Sequence, residues 1–269
     1  MTYLFSPSNA YLLDIVASSN VLLALDYDGT LAPLVLEPQR AAMRFSTRRL
    51  LKRASRLYPC VVISGRSRAD ASARLRGIDV CRVVGNHGAE PSPGGEAIRR
   101  HVEQWLTPLK QQLSWRQGIV IEDKGLSLAV HYGRARQRDA ARRAILLAAQ
   151  SLNNVRITGG KRVVNLVAAD ARHKGLALDH VRAQFGCDTA IYVGDDETDE
   201  DVFNLPQAAC LSIRVGRKQT SAASYYLRNQ GEIDRLIGTL ITLRESYPGR
   251  RAVPPVNRQV TTGLRLVVP

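Results

Sequence analysis

Cysteine is scarce in this sequence. Cys60, Cys81, Cys187 and Cys210 lie far apart with no CxxC pair, which excludes a zinc knuckle or a disulfide framework and leaves free thiols, buried where apolar neighbours flank them as in Cys60-Val61-Val62-Ile63. Long apolar runs are missing too: stretches such as Val21–Leu25 fall far short of the roughly 18–20 residues of a spanning helix, so no membrane partner is expected. The start, Met1-Thr2-Tyr3-Leu4-Phe5-Ser6-Pro7, has neither the basic opening nor the apolar stretch of roughly 7–15 residues that mark a signal peptide, and a cytoplasmic location is the expectation. Acids are few, 24 against 38 Lys and Arg, for a net charge of +14. That balance favours anionic partners: nucleic acid, a membrane surface or a phosphorylated substrate. With aromatics at 6%, scattered basic residues and no nucleic-acid motif, a nucleic-acid binder is only a remote alternative.

The 269 residues, 45% of them hydrophobic, suffice for one large domain or two modest ones. Three short apolar runs end in polar residues and glycine: Val21-Leu22-Leu23-Ala24-Leu25 before Asp26-Tyr27-Asp28-Gly29, Val61-Val62-Ile63 before Ser64-Gly65-Arg66, and Ala190-Ile191-Tyr192-Val193 before Gly194-Asp195-Asp196. Such runs read as buried parallel strands, and the helical patterns Ser46–Leu57 and Lys174–Phe185 alternate with them. The expected fold class is α/β, a doubly wound parallel sheet of Rossmann type. The middle of the chain differs. An amphipathic helix, Ala97–Leu113, precedes strand-like runs Ile119–Lys124 and Leu126–Tyr132 joined at Gly125; a helix Gln137–Leu152 then leads to a second hairpin, Val155–Thr158 and Arg162–Val167, with its turn expected at Gly159-Gly160. This reads as an inserted α+β cap. The boundaries expected are a core over 1–90 and 169–246, a cap over 91–168 and an extended or loosely packed tail over 247–269.

In a parallel sheet, ligand sites collect at the carboxyl ends of the strands, so Asp26, Asp28, Ser64 and Asp195 should converge. Taken alone, Asp-Tyr-Asp-Gly is equally a turn after a strand. In company, Asp26-Tyr27-Asp28-Gly29-Thr30-Leu31 matches the DxDGT signature of the haloacid dehalogenase superfamily, and Ser64-Gly65-Arg66, Lys174-Gly175 and Gly194-Asp195-Asp196-Glu197-Thr198-Asp199 follow in that superfamily's order. The wording resembles its trehalose-6-phosphate phosphatase family through Leu25–Pro33, Gly85-Asn86-His87-Gly88-Ala89-Glu90, Glu122-Asp123-Lys124, His131-Tyr132 and Gly194–Asp201. The resemblance covers about residues 20–230.

A phosphate monoester dianion repels nucleophiles, so its charge must be neutralised first. Mg²⁺ suits an oxygen-only site of one or two carboxylates, a backbone carbonyl, substrate oxygen and water. Asp26 and Asp195 are read as its carboxylates. The resemblance implies the Asp28 carbonyl as a third ligand, with Asp196 and Asp199 touching the metal or the groups that hold it. It also implies Asp26 as nucleophile through an aspartyl-phosphate, and Asp28 as general acid and then general base. Ser64 and Lys174 would bind the phosphoryl group, with Gly29 turning backbone N–H groups toward it and Thr30, Gly65 and Arg66 lining the substrate site. The segment Asp195–Asp201 holds six carboxylates in seven positions, where Glu197, Glu200 and Asp201 are expected to serve a helix start and Asp195 and Asp199 the site.

Substrate choice is expected from the cap, closing over the core. Period two puts Glu122 and Lys124 on one strand face; they are specificity candidates, the bland reading being a cross-strand ion pair. Asn86 and His87 are placed to reach the same sugar. The family's second cap hairpin carries Gly-Lys-x-Val-Val-Glu, whereas this chain has Gly160-Lys161-Arg162-Val163-Val164-Asn165, so Asn165 stands where a substrate-facing Glu is the pattern. His-Tyr-Arg likewise becomes His131-Tyr132-Gly133, with Arg134 next. The implied function is Mg²⁺-dependent hydrolysis of trehalose 6-phosphate to trehalose and phosphate, alone or beside a trehalose-6-phosphate synthase. Asn165 keeps sucrose 6-phosphate or a glycosyl-phosphoglycerate open as alternative substrates.

Overall fold

Val21–Leu25, apolar throughout, is an inner strand of a parallel sheet with every residue buried. The computed structural model describes residues 1–246 apart from Leu36, Ser92, Pro93 and Lys161; the tail expected over 247–269 lies outside the described residues. The first part of the chain forms β1 (Thr2–Tyr3), α1 (Ala10–Ser18), β2 (Val21–Leu25), α2 (Phe45–Ala54), β3 (Cys60–Ile63), α3 (Arg68–Arg74) and β4 (Arg82–Val84). Next come α4 (Gly95–Leu113), β5 (Val120–Asp123), β6 (Ser127–His131), α5 (Arg138–Gln150), β7 (Val155–Gly160) and β8 (Val163–Ala168). The chain then returns as α6 (Lys174–Gln184), β9 (Thr189–Gly194), α7 (Glu200–Phe203), β10 (Cys210–Val215), β11 (Tyr225–Leu227) and α8 (Glu232–Glu245).

Seven strands in the order β1-β11-β10-β9-β2-β3-β4 make one sheet, with parallel pairing throughout. Alternation along β2 sends Val21, Leu23 and Leu25 to a core shared with Leu13 of α1, Leu51 of α2 and Leu236 and Leu240 of α8. Leu22 and Ala24 face Leu178 and Val181 of α6 and Phe203 of α7. Burial on both faces is why these strands read as unbroken apolar runs. Order reverses between β9 and β2, and ligands bind at such a switch point.

The cap is an antiparallel sheet, β5-β6-β8-β7, backed by α4 and α5 through Trp105, Leu109, Ile145, Leu128, Val130 and Leu166. One expectation is corrected there. Gly159 and Gly160 do not form the second hairpin's turn; they end β7, paired with Val164 and Val163, and Arg162 at φ 63° lies in the reversal. Glycine serves close approach instead: a Cβ on Gly160 would lie 2.7 Å from Val163 Cγ1, and one on Gly159 would collide with the Glu197 carboxylate.

Candidate active site

The strand ends deliver a compact charged cluster. Asp26 follows β2, Asp195 follows β9, and Lys174 opens α6 beneath them. Lys174 Nζ donates to Asp26 Oδ1 at 3.0 Å and to Asp199 Oδ1 at 2.7 Å, and these three side chains are almost wholly buried. Carboxylate oxygens of Asp26, Asp195 and Asp199 lie within 4.8 Å of one another. Three carboxylates around one ammonium leave an excess of negative charge out of water. Burial drives the Asp26 carboxyl well above its usual range against the pull of Lys174, and burial with Asp199 and Asp196 pushes Asp195 up to about 8. Burial would lower the Lys174 ammonium, but Asp199 and Asp26 outweigh it and hold it well above its ordinary value. Asp195 Oδ1 is buried with no partner, and Gly29, at φ 84°, leaves room for that carboxylate where any Cβ would collide with it. An orphaned oxygen, surplus negative charge and an oxygen-only donor set fit a hard divalent cation.

Other residues expected at the metal are otherwise engaged. Both oxygens of Asp199 are taken: Oδ1 accepts from Lys174 and, at 2.6 Å, from Tyr192 Oη, while Oδ2 accepts the backbone N–H of Asp195 and Asp196 at 2.7 and 2.9 Å. Asp196 turns into its own loop, its Oδ1 accepting from Thr198 N, Thr198 Oγ1 and Asp199 N. Asp199 thus has no oxygen left unbonded, whereas Asp196 Oδ2 bonds to no described residue. Glu200 and Asp201 occupy the first turn of the four-residue α7, as expected, and also form ion pairs, with Arg214 at 3.0 Å and Arg156 at 3.4 Å.

Asp28 is gripped by Arg66, whose Nε and NH2 reach its two oxygens at 2.6 Å each while NH1 reaches Asp70 at 2.6 Å. Arg66, expected to line the substrate site, is thus committed to two carboxylates and the Pro38 carbonyl. The Gly29 N–H, expected to face phosphate, donates to the Ala32 carbonyl at 2.8 Å because the loop closes on itself. Ser64 is fully buried; its Oγ accepts from Arg66 N at 3.2 Å and donates to no described residue. The Thr30 hydroxyl is buried without a partner.

From the cap, Glu122 and Lys124 face the core, as period two requires. Lys124 Nζ donates to the Gly65 carbonyl at 2.9 Å. Glu122 pairs not with Lys124 but with His131, Oε2 to Nε2 at 2.7 Å, and this bond holds its carboxyl below the usual range. Asn86 is fully buried between core and cap, with Nδ2 donating to Glu90 and the Lys124 carbonyl and Oδ1 accepting from Ser127. His87, at φ 58°, lies over Gly65 with both ring nitrogens buried and unpartnered, and burial, then Lys124 and Lys174, keeps its imidazole neutral. Asn165 is 4% exposed and bonds to no described residue.

Sequence reasoning missed Tyr192, which reads as one more apolar strand residue, and Arg214, which binds the carbonyls of Asp195 and Asp196 from β10. It also missed Arg156 and Glu197, which join cap to core. The alternation Cys210-Leu211-Ser212-Ile213-Arg214 marks a strand and was a usable signal; nothing local marks the others.

A trehalose-phosphatase family model matches residues 24–229. The chain belongs to the trehalose-phosphatase family. It is 28% identical over 262 residues to a probable trehalose-phosphate phosphatase 9 of Oryza sativa subsp. japonica, covering 82% of this chain and 70% of that one. It is 30% identical over 234 residues to a trehalose-phosphate phosphatase of Mycobacterium ulcerans, covering 80% and 60%. The C-terminal domain of the Candida albicans trehalose-6-phosphate phosphatase superposes with a TM-score of 0.76 at 22% identity, over 87% of this chain and 98% of that one. The Synechocystis sucrose-phosphatase shares the fold at a TM-score of 0.56, 13% identity and 82% and 98% coverage.

Proposed function

We propose that this trehalose-phosphatase family member hydrolyses trehalose 6-phosphate to trehalose and inorganic phosphate, using Mg²⁺ and an aspartyl-phosphate on Asp26. The observation that carries the reading is the buried cluster of Asp26, Asp195, Asp199 and Lys174 under a polar cap, with an unpaired Asp195 oxygen. Asp26 and Asp195, with the Asp28 backbone carbonyl that the family pattern adds, are the residues that would hold the cation. When bound, it neutralises phosphoryl charge that would otherwise repel a carboxylate.

Asp26 Oδ attacks phosphorus as the bond to the sugar oxygen breaks, and Asp28 gives that oxygen its proton. Asp28 must leave Arg66 to do so, since the bidentate guanidinium occupies both of its oxygens. Asp28 then takes a proton from water, which attacks the aspartyl-phosphate, releases phosphate and restores Asp26. Lys174 holds Asp26 in place and stabilises charge on the phosphoryl oxygens. The unspent hydroxyls of Ser64 and Thr30 are free to donate to those oxygens. Lys124, Glu122 and the neutral ring of His87 face the sugar side.

Phosphate release from trehalose 6-phosphate and sucrose 6-phosphate, with and without Mg²⁺ and with Asp26→Asn as blank, tests the reading. A Mg²⁺-dependent preference for the trehalose ester supports it; activity on neither ester removes the substrate. A second reading, another sugar phosphate, is favoured by the neutral Asn165 where the family pattern has a carboxylate, and a preference for the sucrose ester would establish it.

A further inference from the structure

The core-facing side of the cap carries a row of side chains that the sequence motifs leave partly unassigned. Register sets Glu122 opposite Ala129, Ala129 opposite Asn165, and Asn165 opposite Thr158, so the four share one face in one transverse line. Residues two positions away on that face show where it looks. Arg156 meets Asp201 of the core at 3.4 Å and Lys124 meets the Gly65 carbonyl at 2.9 Å. At one end of the row Glu122 is satisfied by His131. At the other, neither Asn165 nor Thr158 bonds to any described residue, although the Thr158 Oγ1 atom is buried. Buried polar atoms are nearly always paired, and cross-strand Asn and Thr ordinarily bond to each other or to a neighbour. Two adjacent unpaired groups on the face that closes over the phosphoryl site call for a partner from outside the protein.

We propose that Thr158 and Asn165 form a neutral pair that reads a hydroxyl of the departing sugar, making Thr158 a specificity-determining residue; the inference rests on the sugar-phosphatase reading above. A sugar hydroxyl donates and accepts at once. A threonine hydroxyl does the same, and an Asn amide offers a carbonyl and an NH2 side by side, whereas a carboxylate only accepts. Negative charge already lies on this face, on Glu122 at the far end of the row. A neutral residue at 165 spares the cleft a further carboxylate. Thr158 then supplies locally the hydrogen-bonding capacity that a lone amide lacks.

The test uses the full chain with Mg²⁺ and two substrates, trehalose 6-phosphate and p-nitrophenyl phosphate, which has no sugar. Thr158→Val keeps the β-branched shape and removes the hydroxyl. It should lower the ratio of the two kcat/KM values about five- to tenfold, the worth of one hydrogen bond, mostly through KM for the sugar ester. Thr158→Ser should restore the ratio to within about twofold, since the hydroxyl returns. Asn165→Ala, measured in the same way, carries the test if Thr158→Val does not fold. A wild-type enzyme with no preference for the sugar ester overturns this inference together with the substrate reading. A preference that Thr158→Val retains, or an equal loss on both substrates, overturns the inference alone.

Discussion

Asp199→Asn isolates the residue on which the site's order depends most. Asp199 is wholly buried and accepts four hydrogen bonds, two on each oxygen, from Lys174, Tyr192 and the N–H groups of Asp195 and Asp196. Asn has nearly the same shape, so no cavity opens, but only one of its two terminal atoms accepts. Whichever way the amide turns, its NH2 faces two donors, and the Lys174 ammonium keeps Asp26 alone as a charged partner at 3.0 Å. Breaking a buried pair by removing one partner costs about 3–5 kcal/mol. Part of that returns because burial and crowding with Asp196 already raise the Asp199 carboxyl, and because its removal relieves Asp26 and Asp195. The net expectation is a loss of about 2–4 kcal/mol, or a midpoint shift near 1 M in urea at an unchanged slope. Far-UV circular dichroism is the probe of choice, since both tryptophans, Trp105 and Trp115, lie in the cap segment. Asp196→Asn is the control. Its one bonded oxygen, Oδ1, survives as the Asn carbonyl and still accepts from Thr198 and Asp199, so it should cost under about 1 kcal/mol. Equal losses in the two variants, or a shift under about 1 kcal/mol for Asp199→Asn, would refute the assignment of Asp199 as the anchor of Lys174 and the strand-end loop.

Asp26→Asn should abolish phosphate release while circular dichroism stays native; turnover within about tenfold of wild type, a difference of about 1.4 kcal/mol in barrier, would remove Asp26 as nucleophile. Without a divalent cation, stability should fall as pH rises from about 4 toward about 8, because the folded state holds Asp195's proton up to about 8 whereas the unfolded chain releases it near 3.8. Thermal melts at pH 5.5 and 8, in EDTA and in Mg²⁺, check this, and a pH gap of the same size in both media counts against Asp195 as a cation ligand. Gly65→Ala drives a methyl into the buried His87 ring and should cost about 1–3 kcal/mol and most of the activity; unaltered melting would show that the ring has room to move.

The core strands were legible because burial on both faces writes itself as unbroken apolar runs, and Asp26, Ser64 and Asp195 were legible because such strands end at the site. What local sequence could not show shares one cause, a partner distant in sequence. Asn86 was expected to reach the sugar from its loop, and its local sequence could not show that Lys124 and Ser127, 38 and 41 positions on, bond to its amide. Asp199 was expected at the metal or at the groups that hold it, and spacing alone could not show that Tyr192 and Lys174 bond to it. Gly159-Gly160 looked like a turn, since the same absence of a Cβ serves a reversal or a close approach, and only the position of Glu197 distinguishes them.

Core and cap divide the electrostatic labour, and their contacts tie the two together. The core concentrates surplus buried negative charge on Asp26, Asp195 and Asp199 around Lys174, whereas the inner face of the cap is largely matched within itself or against the core: Glu122 with His131, Lys124 with Gly65, Arg156 with Asp201. Lys124 holds the carbonyl of Gly65, and the next residue, Arg66, holds Asp28. A sugar that drew Lys124 away would therefore loosen the turn that carries Arg66, the group that grips Asp28, the proposed general acid. Substrate recognition in the cap and release of Asp28 in the core would then be one event. Hydrolysis of small phosphoesters without a sugar should accordingly suffer in kcat and not only in KM, because binding energy from the remote sugar is what assembles the acid.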